Sequence, residues 1–224
     1  MRIVAGRWRG RPLDAPRDAR VRPTADKVRE AWLSIVAADV AGAAAVDLFA
    51  GSGALGIEAL SRGAASCDFV ELNAASLRAL GANLERVDAG PAARVRRADA
   101  LRFVDALPAY AYDLAFADPP YTTEAAVRVA ERWLAVPFAR VLGVEHDARV
   151  ALPGGADSRK YGTTRVTFYR AAEPAWTPEP LPASAAATWP RRARRGRPCS
   201  PAASTRSRAG TSTSCGGRRR CSTA

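Results

Sequence analysis

The sequence predicts an α/β fold built on a mostly parallel sheet, and three observations predict it. Short β-type runs alternate with helical stretches over residues 1–172. Each helical stretch is long enough to return across a sheet, as parallel neighbours require. An apolar fraction of 48% suffices for a packed core.

At the start of the chain, RIVAG and RPLDA flank RWRGR, with Gly6 and Gly10 as turn residues. This predicts a basic β-hairpin within an extension over 1–22, bearing Arg2, Arg7, Arg9 and Arg11. Next, Val28, Ala31, Trp32, Ile35 and Val36 follow the i, i+3, i+4, i+7, i+8 spacing of a buried helix face, with Pro23-Thr24 as the start signal. Strands are then expected at 44–49 (AAVDLF), 67–71 (CDFVE), 93–97 (ARVRR), 112–117 (YDLAFA), 139–145 (ARVLGVE) and 163–169 (TTRVTFY). Helices are expected near 54–62, 74–87, 99–107 and 123–135. These elements make one domain over 23–172. From about Ala171 the pattern stops, and 173–224 reads as a disordered tail rich in Arg, Pro and Ala.

The net charge of +12 belongs mostly to that tail. Residues 1–172 hold 24 basic against 20 acidic side chains, whereas 173–224 hold 10 Arg against Glu173 and Glu179. Two origins fit the tail: a nucleic-acid-binding arm, or an out-of-frame extension of GC-rich coding sequence. The second is favoured by the codon bias that two Lys beside 32 Arg signal. Cys199, Cys215 and Cys221 lie in the tail and only Cys67 in the body, so neither a disulfide framework nor a zinc site is expected. MRIVAGRWRGR has no apolar stretch suited to a signal peptide, and no segment reads as a membrane span. The expectation is a cytoplasmic, monomeric protein without metal.

The most informative segment is Asp47-Leu-Phe-Ala-Gly51-Ser52-Gly53-Ala-Leu-Gly56, a strand entering a glycine-rich turn and a helix. Gly51, Gly53 and Gly56 fit G-x-G-x-x-G, and Glu71 ends the next strand, where a carboxylate can accept both ribose hydroxyls. That pattern admits a dinucleotide and S-adenosylmethionine alike, with Phe49, Gly51, Ser52 and Gly53 around the ligand. Asp47 favours the second, because a carboxylate there suits an ammonium group and gains nothing from a pyrophosphate. Asp99-Ala100 is placed to meet an adenine edge; the alternative for Asp99 is a helix N-cap.

Asp118-Pro119-Pro120-Tyr121 follows the fourth strand. Two prolines fix φ and remove donors, leaving carbonyls and the Asp118 side chain as an acceptor clamp at the carboxyl edge of the sheet. Acceptors for both protons of an exocyclic amine favour the pyramidal nitrogen that can attack a sulfonium methyl, and Tyr121 offers a stacking face for an unstacked base. The clamp can also serve the cofactor side of Asp118.

These residues, with RIVAGRWRGRPL at 2–13, RPTADKVREAW at 22–32, DLFAGSGALGIEALSRGA at 47–64, VELN at 70–73, ADAL at 98–101, FADPPY at 116–121 and YGTTRVTFY at 161–169, make the chain resemble the bacterial 16S rRNA guanine-N2 methyltransferase family. The resemblance covers essentially residues 1–170. It implies a Rossmann-like methyltransferase fold with a seven-stranded sheet whose last two strands form a hairpin, S-adenosylmethionine as methyl donor, and 16S rRNA or the assembling small ribosomal subunit as partner. Asp118, Pro119, Pro120 and Tyr121 would then handle the target guanine. The tail has no counterpart in the family pattern, and the segment after Pro120 is short and alanine-rich.

Seven of the first 22 residues are Arg, opposed by Asp14 and Asp18, with Trp8 between Arg7 and Arg9. Arg2, Arg7, Trp8, Arg9 and Arg11, together with Arg22 and Thr24, are the expected RNA grip; solvated surface arginine is the bland alternative. His146, Cys67, Trp32 and Trp133 read as structural. An N6-adenine methyltransferase, a non-catalytic RNA-binding module on the same fold and a dinucleotide oxidoreductase are the competing functions.

Overall fold

Apolar runs covered on both faces make the central strands. β1 (Ala44–Leu48), β2 (Ser66–Glu71), β4 (Tyr112–Ala117) and β5 (Ala139–Asp147) bury nearly every residue, as parallel strands flanked by helices do. The computed structural model describes residues 1–15, 26–121, 124–154 and 157–172. The predicted tail at 173–224, the start signal Pro23-Thr24 and Arg22 lie outside the described residues.

With β3 (Ala93–Arg97), β6 (Asp157–Tyr161) and β7 (Thr164–Arg170), these strands form one seven-stranded sheet in the order β3-β2-β1-β4-β5-β7-β6. β1 pairs in parallel with β2 and β4, β2 with β3, and β4 with β5; β7 runs antiparallel between β5 and β6. Chain order reverses between β1 and β4, so a crevice opens at their carboxyl ends, the place where such sheets bind ligands.

Side chains alternate between the two faces. Cys67, Phe69, Phe116 and Phe168 pack toward α1 (Asp26–Ile35), α3 (Ala54–Ser61) and α4 (Ala74–Val87), near the short α2 (Ala37–Val40). Val46, Val70, Ala115 and Leu142 pack toward α5 (Ala100–Asp105) and α6 (Ala125–Ala135). The predicted helix ahead of β1 is α1, and its Trp32 meets Phe116 and Phe168 edge-on, with ring centroids 5.8 and 6.2 Å away. Gly143 makes room for it, since a Cβ there would come within 2.4 Å of the indole nitrogen. Trp133, Cys67 and His146 are also buried, in keeping with structural roles.

Two elements differ from the strand and hairpin patterns. β6, whose sequence is DSRKY, has no apolar alternation because it is an edge strand with no fully buried position; only the family resemblance implied the terminal hairpin. The predicted N-terminal β-hairpin is absent. Residues 1–13 form a looped segment with one isolated antiparallel bridge, Arg2 to Pro12, and no strands. Its base is cross-paired, Ile3 N–H donating to Arg11 O, Gly10 N–H to Ile3 O and Leu13 N–H to Met1 O at 3.0, 2.8 and 3.0 Å, but the donors of its middle are spent on α3 instead of extending a ladder. The N–H groups of Val4 and Ala5 donate to Glu58 Oε2 and Oε1 at 2.7 and 2.8 Å, and those of Arg7 and Trp8 to Ser61 O and Oγ at 2.8 and 3.0 Å. Gly6 permits the approach: its φ is +83°, and a Cβ would lie 2.0 Å from the Ser61 carbonyl oxygen.

Candidate functional site

The glycine-rich turn between β1 and α3 is built by backbone freedom where it is needed. Phe49, Gly51 and Gly53 all take positive φ, and Gly53 caps α3 in the left-handed region. Gly56 serves packing: a Cβ there would meet Phe69 Cε1 at 2.4 Å and Cys67 Sγ at 2.7 Å, so α3 lies against β2 only because the methyl is missing.

Two carboxylates tie the turn to the sheet. Glu71, at the end of β2, accepts from Gly51 N–H at 2.8 Å through Oε2 and from Leu72 and Asn73 N–H at 2.7 Å each through Oε1. Asp47 is 1% exposed beneath the turn and accepts from Gly56 N–H at 2.9 Å. Burial pushes the Asp47 carboxyl well above the usual carboxylate range; the Gly56 hydrogen bond opposes this, and the negative fields of Asp118 and Glu71 add to it. A cation bound beside these three carboxylates would favour the charged form of Asp47.

The raised pKa has a consequence for stability. The folded state binds the Asp47 proton more tightly than the unfolded chain, so stability falls as pH rises from the unfolded carboxylate range through the folded pKa. Asp47→Asn keeps an acceptor for Gly56 N–H and removes the buried charge. It is expected to raise the melting temperature at neutral pH while weakening a cationic ligand, the first read by calorimetric melting and the second by titration.

A cavity of about 610 Å³ opens at the carboxyl ends of β1 to β4. Of the residues predicted from sequence, Phe49, Glu71, Asp99, Ala100 and Pro120 line it; Val70, Leu72, Asn73, Ala98, Leu101, Glu124, Ala125 and Arg128 complete the wall. Asp47, Gly51, Ser52 and Gly53 shape the turn from below or beside it. Asp99 is the N-cap of α5, its Oδ1 accepting from Arg102 N–H at 2.9 Å, and it stands exposed on the cavity wall as well.

Sequence reasoning missed Leu72, Leu101, Arg128 and Asn83. Asn83 is fully buried and joins two parts of the site: its Nδ2 donates to Ser52 O and Asp14 O at 3.0 Å each, while its Oδ1 accepts from Asp14 N–H at 2.8 Å. A polar residue on the buried face that Leu80 and Val87 share was the available signal.

The Asp118 loop leaves β4 beside β1, with Asp118 N–H 3.5 Å from Leu48 O. Pro119 is buried and Pro120 reaches the cavity, so the loop borders the glycine turn and the open crevice together. Tyr121 turns its hydroxyl inward to Glu145 Oε1 and Thr164 Oγ1, at 2.5 and 2.7 Å, and leaves its ring partly open.

The N-terminal arginines Arg2, Arg7, Arg9 and Arg11 are exposed, whereas Trp8 is 7% exposed and carries the Arg7 guanidinium 4.0 Å above its ring. The arginines, not the indole, therefore face solvent. Arg22 and Thr24 lie outside the described residues.

The family model described as conserved hypothetical protein 95 matches residues 1–170. The chain belongs to that family. Ribosomal RNA small subunit methyltransferase D of Escherichia coli is 42% identical over 121 residues, an alignment covering 54% of this chain and 60% of that relative, less than two thirds of its length. The Haemophilus influenzae protein of the same name is 32% identical over 177 residues, covering 76% of this chain and 92% of its own. Among solved structures, a hypothetical protein of Thermus thermophilus superposes with a TM-score of 0.66 at 28% identity, over 76% of this chain and 99% of that one. The region matched to the conserved hypothetical protein 95 family takes in the glycine turn, Glu71, Asp99 and the Asp118 loop, so the whole candidate site falls inside the family's extent and none of it in the unmatched tail. Among the described residues, no helix is long and apolar enough to cross a membrane.

Proposed function

We propose that this chain transfers a methyl group from S-adenosylmethionine to the exocyclic N2 amine of a guanine in 16S rRNA. The observation that carries the reading is the placing of the Asp118-Pro119-Pro120-Tyr121 loop at the sheet's switch point, one residue of it in the wall of a nucleoside-sized cavity. The names borne by the Escherichia coli and Haemophilus influenzae relatives support the same substrate class.

The cavity's donor set fits the methyl donor. Glu71 can accept from a ribose diol with lone pairs its three backbone donors leave over, Asp99 and the Ala100 backbone stand where a purine edge can be read, and Phe49, Leu72 and Leu101 offer apolar walls. The shared field of Asp47, Glu71 and Asp118 favours a cation and disfavours a pyrophosphate, which argues against a dinucleotide. Bound S-adenosylmethionine supplies a methyl carbon made electrophilic by its sulfonium.

The chain's own residues supply position and charge. Asp118 Oδ and the carbonyls of the proline loop accept the two protons of the guanine amine, which draws its lone pair out of conjugation and toward the reacting carbon. As the N–C bond forms and the carbon–sulfur bond breaks with its electron pair left on sulfur, the nitrogen becomes more acidic, and Asp118 is the acceptor for the proton it sheds. Rigid prolines hold these acceptors in place before the base arrives, so little reorganisation accompanies the reaction. Tyr121 presents its ring to the extruded base, and Arg2, Arg7, Arg9 and Arg11 neutralise RNA phosphates nearby.

The test is transfer of radiolabelled methyl groups to undermodified small ribosomal subunits, naked rRNA and duplex DNA. Label is expected in small-subunit RNA. Label confined to DNA, or no transfer while S-adenosylmethionine is bound, would contradict the proposal.

A further inference from the structure

We propose that Glu145 and Thr164 are positioning residues for the target base, acting through the hydroxyl of Tyr121, an inference that rests on the function proposed above. Glu145 lies on β5 opposite Val166 of β7, and it is 4% exposed. A carboxylate taken that far out of water is costly unless hydrogen bonds compensate it, so packing alone gives no reason for one between Val144 and the buried His146.

The hydrogen-bond arithmetic fixes the direction of the chain of donors. A phenol has one proton, and Tyr121 stands 2.5 Å from Glu145 Oε1 and 2.7 Å from Thr164 Oγ1. With the phenol donating to the carboxylate, the Thr164 hydroxyl donates to the phenol oxygen. Burial and the neighbouring Glu145 both hold the phenol protonated, which keeps this arrangement intact across the neutral range. The ring is tethered at its far end to two strands, β5 and β7, while its near end is tethered to β4 by two prolines.

What the tether accomplishes follows from the ring's exposure. Tyr121 is 36% exposed even though its hydroxyl is bonded to Glu145 and Thr164, so part of its ring stays open, next to Pro120 at the cavity. A ring free to turn about χ1 and χ2 would lose that freedom each time a base stacked on it. One locked beforehand does not, and binding is tighter by the saved entropy. The structure thus assigns a reason for tyrosine here that phenylalanine could not meet.

The experiment measures kcat, KM for undermodified small-subunit RNA and S-adenosylmethionine affinity for the wild-type chain, Tyr121→Phe, Glu145→Ala, Glu145→Gln, Thr164→Val and the double variant Tyr121→Phe with Glu145→Ala. Losing one hydrogen bond to a charged group is expected to raise KM for RNA about tenfold in Tyr121→Phe and in Glu145→Ala. Cofactor affinity should be unchanged, and Glu145→Gln, which keeps the acceptor, should recover most of the loss. The double variant should be no worse than either single one, because both act through one contact. Multiplying losses, or a fall in cofactor affinity equal to the rise in KM, would overturn the inference while leaving the function standing. If Glu145→Ala does not fold, Tyr121→Phe and Thr164→Val carry the same comparison, and a wild-type KM in Tyr121→Phe overturns the inference. Absence of transfer by the wild-type chain would overturn the function and this inference with it.

Discussion

Replacing Asp118 with alanine is expected to lower methyl transfer about a thousandfold while S-adenosylmethionine still binds. The size follows from what the side chain does. An exocyclic amine is a poor nucleophile, and a side-chain acceptor aimed at its protons stabilises the transition state more than the ground state. The selectivity follows from position: Asp118 borders the crevice on the β4 side, whereas the cavity wall is built by Phe49, Glu71, Leu72, Asp99 and Leu101. Single-turnover transfer and calorimetric titration of the same variant separate the two effects. Unimpaired turnover would remove Asp118 from the mechanism, and lost cofactor affinity would make it a binding residue.

The largest expected effect on stability is at Glu58. This α3 residue is fully buried and holds the backbone N–H groups of Val4 and Ala5, the Arg62 guanidinium at 3.1 Å, and the buried Arg29 guanidinium at 3.9 Å. Arg29 in turn donates to Arg2 O, so the pair clasps the N-terminal segment from both sides. Glu58→Ala removes the carboxylate facing a buried cation and leaves two backbone donors without their acceptor. Breaking a buried pair in this way costs about 3–5 kcal/mol, which denaturant unfolding would read directly. RNA affinity is expected to fall more than cofactor affinity, because the segment that loosens bears Arg2, Arg7, Arg9 and Arg11. A loss under about 1 kcal/mol would mean that the clasp contributes no more than a surface ion pair.

The N-terminal segment also shows where sequence reading reaches its limit. Its turn glycines and flanking apolar residues suggested a hairpin, yet the donors of Val4, Ala5, Arg7 and Trp8 find partners on α3, more than 50 residues away in sequence. No local pattern encodes such a partner. The central strands were legible for the opposite reason: buried on both faces, β1, β2, β4 and β5 are short β-type runs built around buried apolar residues, and their meaning does not depend on a distant residue. β6, a polar edge strand, carries no such run.

The site divides along the same line. The glycine turn, Glu71 and the Asp118 loop were legible because each is a compact motif at a strand end. Asn83, which links Ser52 to Asp14, and Glu145, which holds Tyr121, act across the fold, and each is visible in sequence only as a polar residue set among buried apolar ones. Trp8, placed with the arginines by adjacency, faces the core because the docking of residues 4–8 on α3 decides its direction.

The most direct test of the central claim is to digest RNA methylated in vitro and identify the nucleoside that carries the label. Undermodified small ribosomal subunits, radiolabelled S-adenosylmethionine and the full chain are sufficient. Label is expected in N2-methylguanosine, with its loss in Asp118→Ala. Label in N6-methyladenosine instead would contradict the assignment of guanine N2 as the acceptor.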